Sequence, residues 1–92
     1  MSDSAVIKMP KRFDYSSSST FNQDVLSALE GADVITLDCA EMEYIDSAGI
    51  GLLVMAQKKA QSRQSKIAIA NLQSTPREIL KLANLQKIIE IS

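Results

Sequence analysis

At 92 residues the chain has room for one domain with a modest core and too little for two, so residues 1–92 are expected to form one domain. With 46% hydrophobic and 23% charged residues it reads as globular, not disordered or fibrous. A net charge of −1, ten scattered Lys and Arg and four aromatics offer neither a phosphate-neutralising stripe nor a base-stacking array, which argues against direct nucleic-acid binding.

"SAVIKM", Ser4 to Met9, alternates small or polar with apolar residues and reads as a first strand ended by Pro10. "DYSSSST", Asp14 to Thr20, is a polar turn rich in helix-capping residues. A helix follows in "STFNQDVLSALEG", with Phe21, Val25, Leu26 and Leu29 at helical spacing and Gly31 as its stop. "DVITLDCA", Asp33 to Ala40, is β-branched and mostly apolar and suits a central buried strand. After the loop "EMEYID", a helix is predicted from about Ser47 to Ser62, apolar in its first half and polar in "QKKAQSRQS". "KIAIAN", Lys66 to Asn71, is a further short strand. In "STPREILKLAN", Thr75 can cap a helix, Pro76 suits the first turn, and Glu78 completes the spacing of a capping box. "KIIEIS" closes the chain as a last strand.

This order, strand and helix in strict alternation, predicts an α/β domain with a mainly parallel sheet of about four strands. Right-handed crossovers would lay helices over that sheet, and so small a domain can cover only part of it. The N-terminus lacks a signal peptide's apolar core, and no apolar run approaches the ~20 residues of a membrane span, so a cytoplasmic location is expected, with no membrane contact.

The chain has no histidine, which removes the commonest general base, zinc ligand and pH switch together. Cys39 is the only cysteine, so no disulfide can close within the chain, and its place at the end of an apolar strand suits a small core residue. "DSAGIG" is not a nucleophile elbow, because Tyr44-Ile45 stand where that motif places its first glycine. "SAGIGLL" lacks the G-K-[ST] ending of a phosphate-cradling loop. Asp38, Glu41, Glu43 and Asp46 match no calcium-loop spacing. No enzyme, cofactor or metal site is expected.

"EMEYIDSAGIGLLV", Glu41 to Val54, holds the candidate site. Either Asp46 or Ser47 can cap the helix by accepting from its free first-turn N–H groups. Gly49 and Gly51 each cost roughly 0.5–1 kcal/mol relative to alanine inside a helix, so something must approach the backbone there, a strand, a partner protein or both. If Ser47 were phosphorylated, a helix N-terminus would tolerate the added anion, while neighbouring Glu41, Glu43 and Asp46 would make the surface strongly negative. The fold would survive; a partner docked over Ser47 would meet new bulk and charge. Met42 and Tyr44 suit either partner anchors or core packing, and Met55 suits the core.

The string "YIDSAGIGLLV" resembles the signature loop and helix of STAS domains, most closely those of bacterial anti-sigma factor antagonists. "FD" at Phe13-Asp14 is similar to the family's early apolar-Asp motif, and "ILKLANLQKIIEI" resembles its closing helix and strand. The resemblance implies a mixed sheet with helices largely on one side. It also implies partner switching, in which the unphosphorylated antagonist binds an anti-sigma factor that is itself a serine kinase, and so frees the sigma factor. The kinase then phosphorylates the serine after the aspartate, and a PP2C-type phosphatase reverses this. Carried onto this chain, the acceptor is Ser47, and the docking surface comprises Asp14, Met42, Tyr44, Asp46, Ala48, Gly49 and Gly51. The chain departs from the pattern at "PKRFD", where lysine and arginine replace the usual glycine, and an extra first strand found in many members is expected to be missing. The alternative is a STAS subunit of another assembly, for example one bound to a transporter ATPase, with Ser47 as a docking or capping residue.

Overall fold

The computed structural model describes residues 3–92. In chain order its elements are β1 (Ser4–Lys8), β2 (Arg12–Phe13), α1 (Ser18–Leu29), β3 (Val34–Asp38), β4 (Tyr44–Ile45), α2 (Ser47–Ser62), β5 (Lys66–Ala70), α3 (Ser74–Leu82) and β6 (Glu90–Ile91). Single 3-10 turns at Tyr15–Ser17 and Leu85–Lys87 lead into α1 and β6.

Four strands form one sheet in the order β1-β3-β5-β6, and every ladder in it is parallel. Each crossover therefore advances in the same direction across the sheet. With right-handed connections, α1, α2 and α3 must all lie over one face. The strand burial agrees, since Ile35, Leu37, Ile67 and Ile69 are sealed beneath the helices while Val34, Thr36, Ala68 and Ala70 stay partly exposed. The alternating α/β architecture with helices on one side is thus the one expected. No antiparallel strand occurs among the described residues, so the sheet is parallel where the resemblance implied a mixed one.

Local corrections follow from packing. Tyr44-Ile45, read as loop, form β4 and pair in parallel with Arg12-Phe13 in a second, two-stranded sheet. Strands of two residues carry no periodicity to read. The start of α3 is Ser74, and Gln73 occupies the capping position without a side-chain cap bond. Its Nε2 instead donates to the Ala40 carbonyl at 2.8 Å, tying α3 to the end of β3; the Thr75 capping box does not form. The second half of α2 is not uniformly solvated, because Ala56, Gln57 and Ala60 are buried. Gln57 Oε1 accepts from the Ile67 backbone N–H at 3.1 Å. Leu26 and Met55, both read as buried, lie on exposed helix faces, Met55 with 52% exposure.

Candidate functional site

The two-residue ladder between β2 and β4 builds the site. It aligns Arg12 with Tyr44 and Phe13 with Ile45, and the Glu43 and Tyr44 N–H groups both donate to the Lys11 carbonyl. Phe13 and Ile45 are buried, and the Phe13 ring meets the Phe21 ring edge-on at 4.9 Å. The early and central sequence motifs, about thirty positions apart, thereby become one surface.

Directly after β4 the chain turns into α2, and Asp46 is the capping residue. Its backbone is extended, and its Oδ1 accepts from the Gly49 N–H at 2.9 Å. Ser47 is therefore the first helical residue and is exposed. Its side chain takes no part in the capping bond, which leaves its hydroxyl toward solvent. The capping role that either residue could have filled belongs to Asp46.

The two glycines do different things. A Cβ on Gly49 would lie 2.6 Å from the Phe13 carbonyl oxygen and 2.8 Å from Ile45 Cγ1. Gly49 thus lets the first turn of α2 seat against β2 and β4, and it is buried. Nothing stands within 4 Å of where a Gly51 Cβ would project. Nothing within the fold demands glycine at that exposed position. Ser47, Gly51 and Met55 follow at four-residue intervals and share one exposed face of α2.

Around the loop, Tyr44 is 40% exposed, and the Arg12 guanidinium lies over its ring at 4.4 Å from the centroid. Arg12 Nε also donates to Asp14 Oδ2 at 2.9 Å. Asp14 Oδ1 accepts from the Ser16 N–H at 3.0 Å and from the Ser16 hydroxyl, capping the turn before α1. The hydrogen bond from the Ser16 hydroxyl and then that from Arg12 hold the Asp14 carboxyl below the usual carboxylate range. Asp14 is thus a partly exposed anchor for its own loop. Ala48 is half-buried on the first turn of α2. Met42 is different, since at 1% exposure its side chain belongs to the core and does not form part of the surface.

Of the sequence-derived set, the structure brings Asp14, Tyr44, Asp46, Ser47, Ala48 and Gly51 to one side of the β2–β4 junction, with Gly49 beneath them. Residue-type reasoning passed over Arg12 and Met55. For Arg12 the signal was present in "PKRFD", where a long cation replaces glycine. For Met55 no local signal existed.

The family model described as "Mlab, STAS domain" matches residues 2–90. The anti-sigma-B factor antagonist of Listeria monocytogenes is 34% identical over 68 residues, covering 74% of this chain and 59% of that protein. The chain thus spans less than two thirds of that relative's length. A STAS-domain containing protein of Pseudomonas aeruginosa is 27% identical over 90 residues, covering 94% of this chain and 85% of that one. Among solved structures, the unphosphorylated anti-sigma factor antagonist SpoIIAA superimposes with a TM-score of 0.81 at 15% identity, over 100% of this chain and 82% of that one. Phosphorylated SpoIIAA of Bacillus gives 0.69 at 16% identity, over 95% and 80%. At those identities the agreement establishes the fold. With the family model spanning nearly the whole sequence, the chain belongs to the STAS domain family, and anti-sigma factor antagonists are among its relatives.

Proposed function

We propose that this chain is an anti-sigma factor antagonist that works by partner switching. Unphosphorylated, it binds an anti-sigma factor that is also a serine kinase; phosphorylation of Ser47 releases it, and a PP2C-type phosphatase restores binding. In this reading the protein is a cytoplasmic interaction module without catalytic chemistry of its own. Its docking surface is the β2–β4 junction and the exposed Ser47, Gly51 and Met55 face of α2.

The division of labour between Asp46 and Ser47 carries the reading. Because Asp46 supplies the cap, the Ser47 hydroxyl has no bond in the capping interaction to lose on modification. A phosphate there adds about −1.5 to −2 charge at a helix N-terminus that favours anions, so the fold is retained while the docking surface changes sign and shape. That SpoIIAA exists in both phosphorylated and unphosphorylated forms supports the same chemistry by analogy.

The second reading, a STAS subunit of another assembly such as one associated with a transporter ATPase, keeps a specific support. The matching family model bears the Mlab description, not an antagonist's. In that case Ser47 serves docking alone, since Asp46 holds the cap.

Intact mass of the protein purified from its own cells separates the two. Partner switching requires a phosphate on Ser47 under at least one growth condition. In binding assays Ser47→Asp should lose the kinase partner at least tenfold while Ser47→Ala keeps it. Equal binding by both variants, or a Ser47 that is never modified, would sink the first reading.

A further inference from the structure

The outer edge of β1 is open. In the sheet order β1-β3-β5-β6, β1 has a neighbour on one side alone. The Asp3 carbonyl accepts from the Val34 N–H, and the Met9 N–H donates to the Asp38 carbonyl at 2.9 Å. In a parallel ladder these groups alternate along the strand, so the odd-numbered residues bond to β3. Ser4, Val6 and Lys8 therefore turn their N–H and C=O groups away from the sheet. Val6 is 65% exposed, and among residues 3–92 no proline or bulge interrupts β1. Such an edge is a template for another strand. Beside it, clefts of about 360 and 460 Å³ open between β1 and α1, lined by Ala5, Ile7, Phe21, Asp24 and Ala28.

We propose that this edge is the interface of a homodimer in which β1 pairs antiparallel with β1 of a second copy, centred on Val6. Three features select a second copy as the occupant. First, the outward residues are symmetric about Val6: Ser4 meets Lys8, Val6 meets Val6, and Lys8 meets Ser4. Each such pair exchanges two backbone bonds, so three pairs give about six. Second, the side chains complement each other by size. On the helix-covered face Ala5 stands opposite Ile7, and each Ile7 enters the cleft beside the other subunit's α1. On the open face the two Val6 side chains cover each other. Third, charge favours the antiparallel sense. Exposed Asp3 and Asp33 flank the start of β1 and Lys8 lies at its end, so the two-fold brings each Lys8 toward the opposite acidic pair. A parallel pairing would superimpose like charges. The product is a continuous eight-stranded sheet with every helix on one face, and the α2 surface around Ser47 is not part of this contact.

An interface of one strand per subunit falls below the standard size of stable complexes, so a weak, concentration-dependent dimer is expected. Sedimentation of the purified chain from about 10 μM to about 1 mM should show the average mass rising toward twice that of one chain. Val6→Pro removes one outward N–H that the fold does not use, and at an edge strand proline is tolerated. It should stay monomeric across the range with an unchanged circular dichroism spectrum. On the unaltered protein, amide exchange at Val6 and Lys8 should slow with concentration while Ala5 and Ile7 stay protected throughout. A mass that stays constant to 1 mM, protection appearing on another surface, or a Val6→Pro dimer as strong as the parent overturns the proposal. If Val6→Pro fails to fold, the exchange pattern of the parent protein decides alone.

Discussion

The Phe13 carbonyl oxygen sits 2.6 Å from where a side chain on Gly49 would begin, so β2 and the first turn of α2 meet backbone to backbone. That contact holds the Phe13-Asp14 motif against the Asp46-Ser47 motif. Gly49→Ala must push a backbone strand aside, since the contacting atom is a carbonyl and not the free end of a side chain. The expected cost is about 1–3 kcal/mol. Gly51→Ala meets nothing and should stabilise the protein by about 0.5–1 kcal/mol. Urea denaturation of the two variants checks the opposite signs. If the proposed docking surface is right, Gly51→Ala also weakens partner binding while raising stability.

Asp46 and Ser47 are adjacent, yet their truncations should differ. Asp46→Ala removes the acceptor of the Gly49 N–H and should cost ~1 kcal/mol. Ser47→Ala, at an exposed first helical position, should change stability by less than about 0.5 kcal/mol. Thermal or chemical unfolding of both variants measures the difference, and equal losses would return the cap to Ser47.

Gln57 lies in the middle of α2 and is 7% exposed. The β6 strand pairs with Ala68 and Ile69 and stops short of Ile67, whose N–H is taken by Gln57 Oε1. Gln57→Leu leaves that buried donor without a partner and should cost about 1–3 kcal/mol. Gln57→Glu, which keeps an acceptor in place, should cost less near neutral pH than below pH ~4, where the new carboxyl becomes protonated. Equilibrium unfolding at both pH values tests this.

Cys39 is sealed at 1% exposure, and burial, followed by the nearby Asp38 charge, raises its thiol from 9.0 to about 12. The folded state keeps the proton that the unfolded state releases. Below pH ~9 both states hold it, and the thiol adds no pH dependence. Between about 9 and 12 the unfolded chain is stabilised by ionisation, so stability should fall by up to about 1.4 kcal/mol per pH unit. Unfolding measured from pH 8 to 11 should show this extra slope in the parent and not in Cys39→Ala. Thiol reagents should label Cys39 at the rate of unfolding.

Long elements were legible because their side chains repeat with the period of the backbone. The apolar alternation of "VITLD" and "KIAIA" defines two strands, and the strict strand-helix order leaves a parallel sheet with one covered face. The Ser47 helix start was legible for a similar reason, since Asp, Ser and glycine in succession mark a helix entry. The absence of histidine excluded whole classes of chemistry without any structure.

Tertiary structure decided what depends on neighbours distant in sequence. Two residues cannot announce a strand, so the β2–β4 pairing appears only when Lys11 and Glu43 meet. Adjacent polar residues at a helix entry are equivalent on paper. Backbone direction, extended at Asp46 and helical at Ser47, assigns the cap to one and exposes the other. Met42 and Met55 have the same intrinsic hydrophobicity and opposite fates, because burial is set by which face of an element meets another. The two glycines of α2 likewise separate only in three dimensions, where Phe13 crowds one and open space surrounds the other.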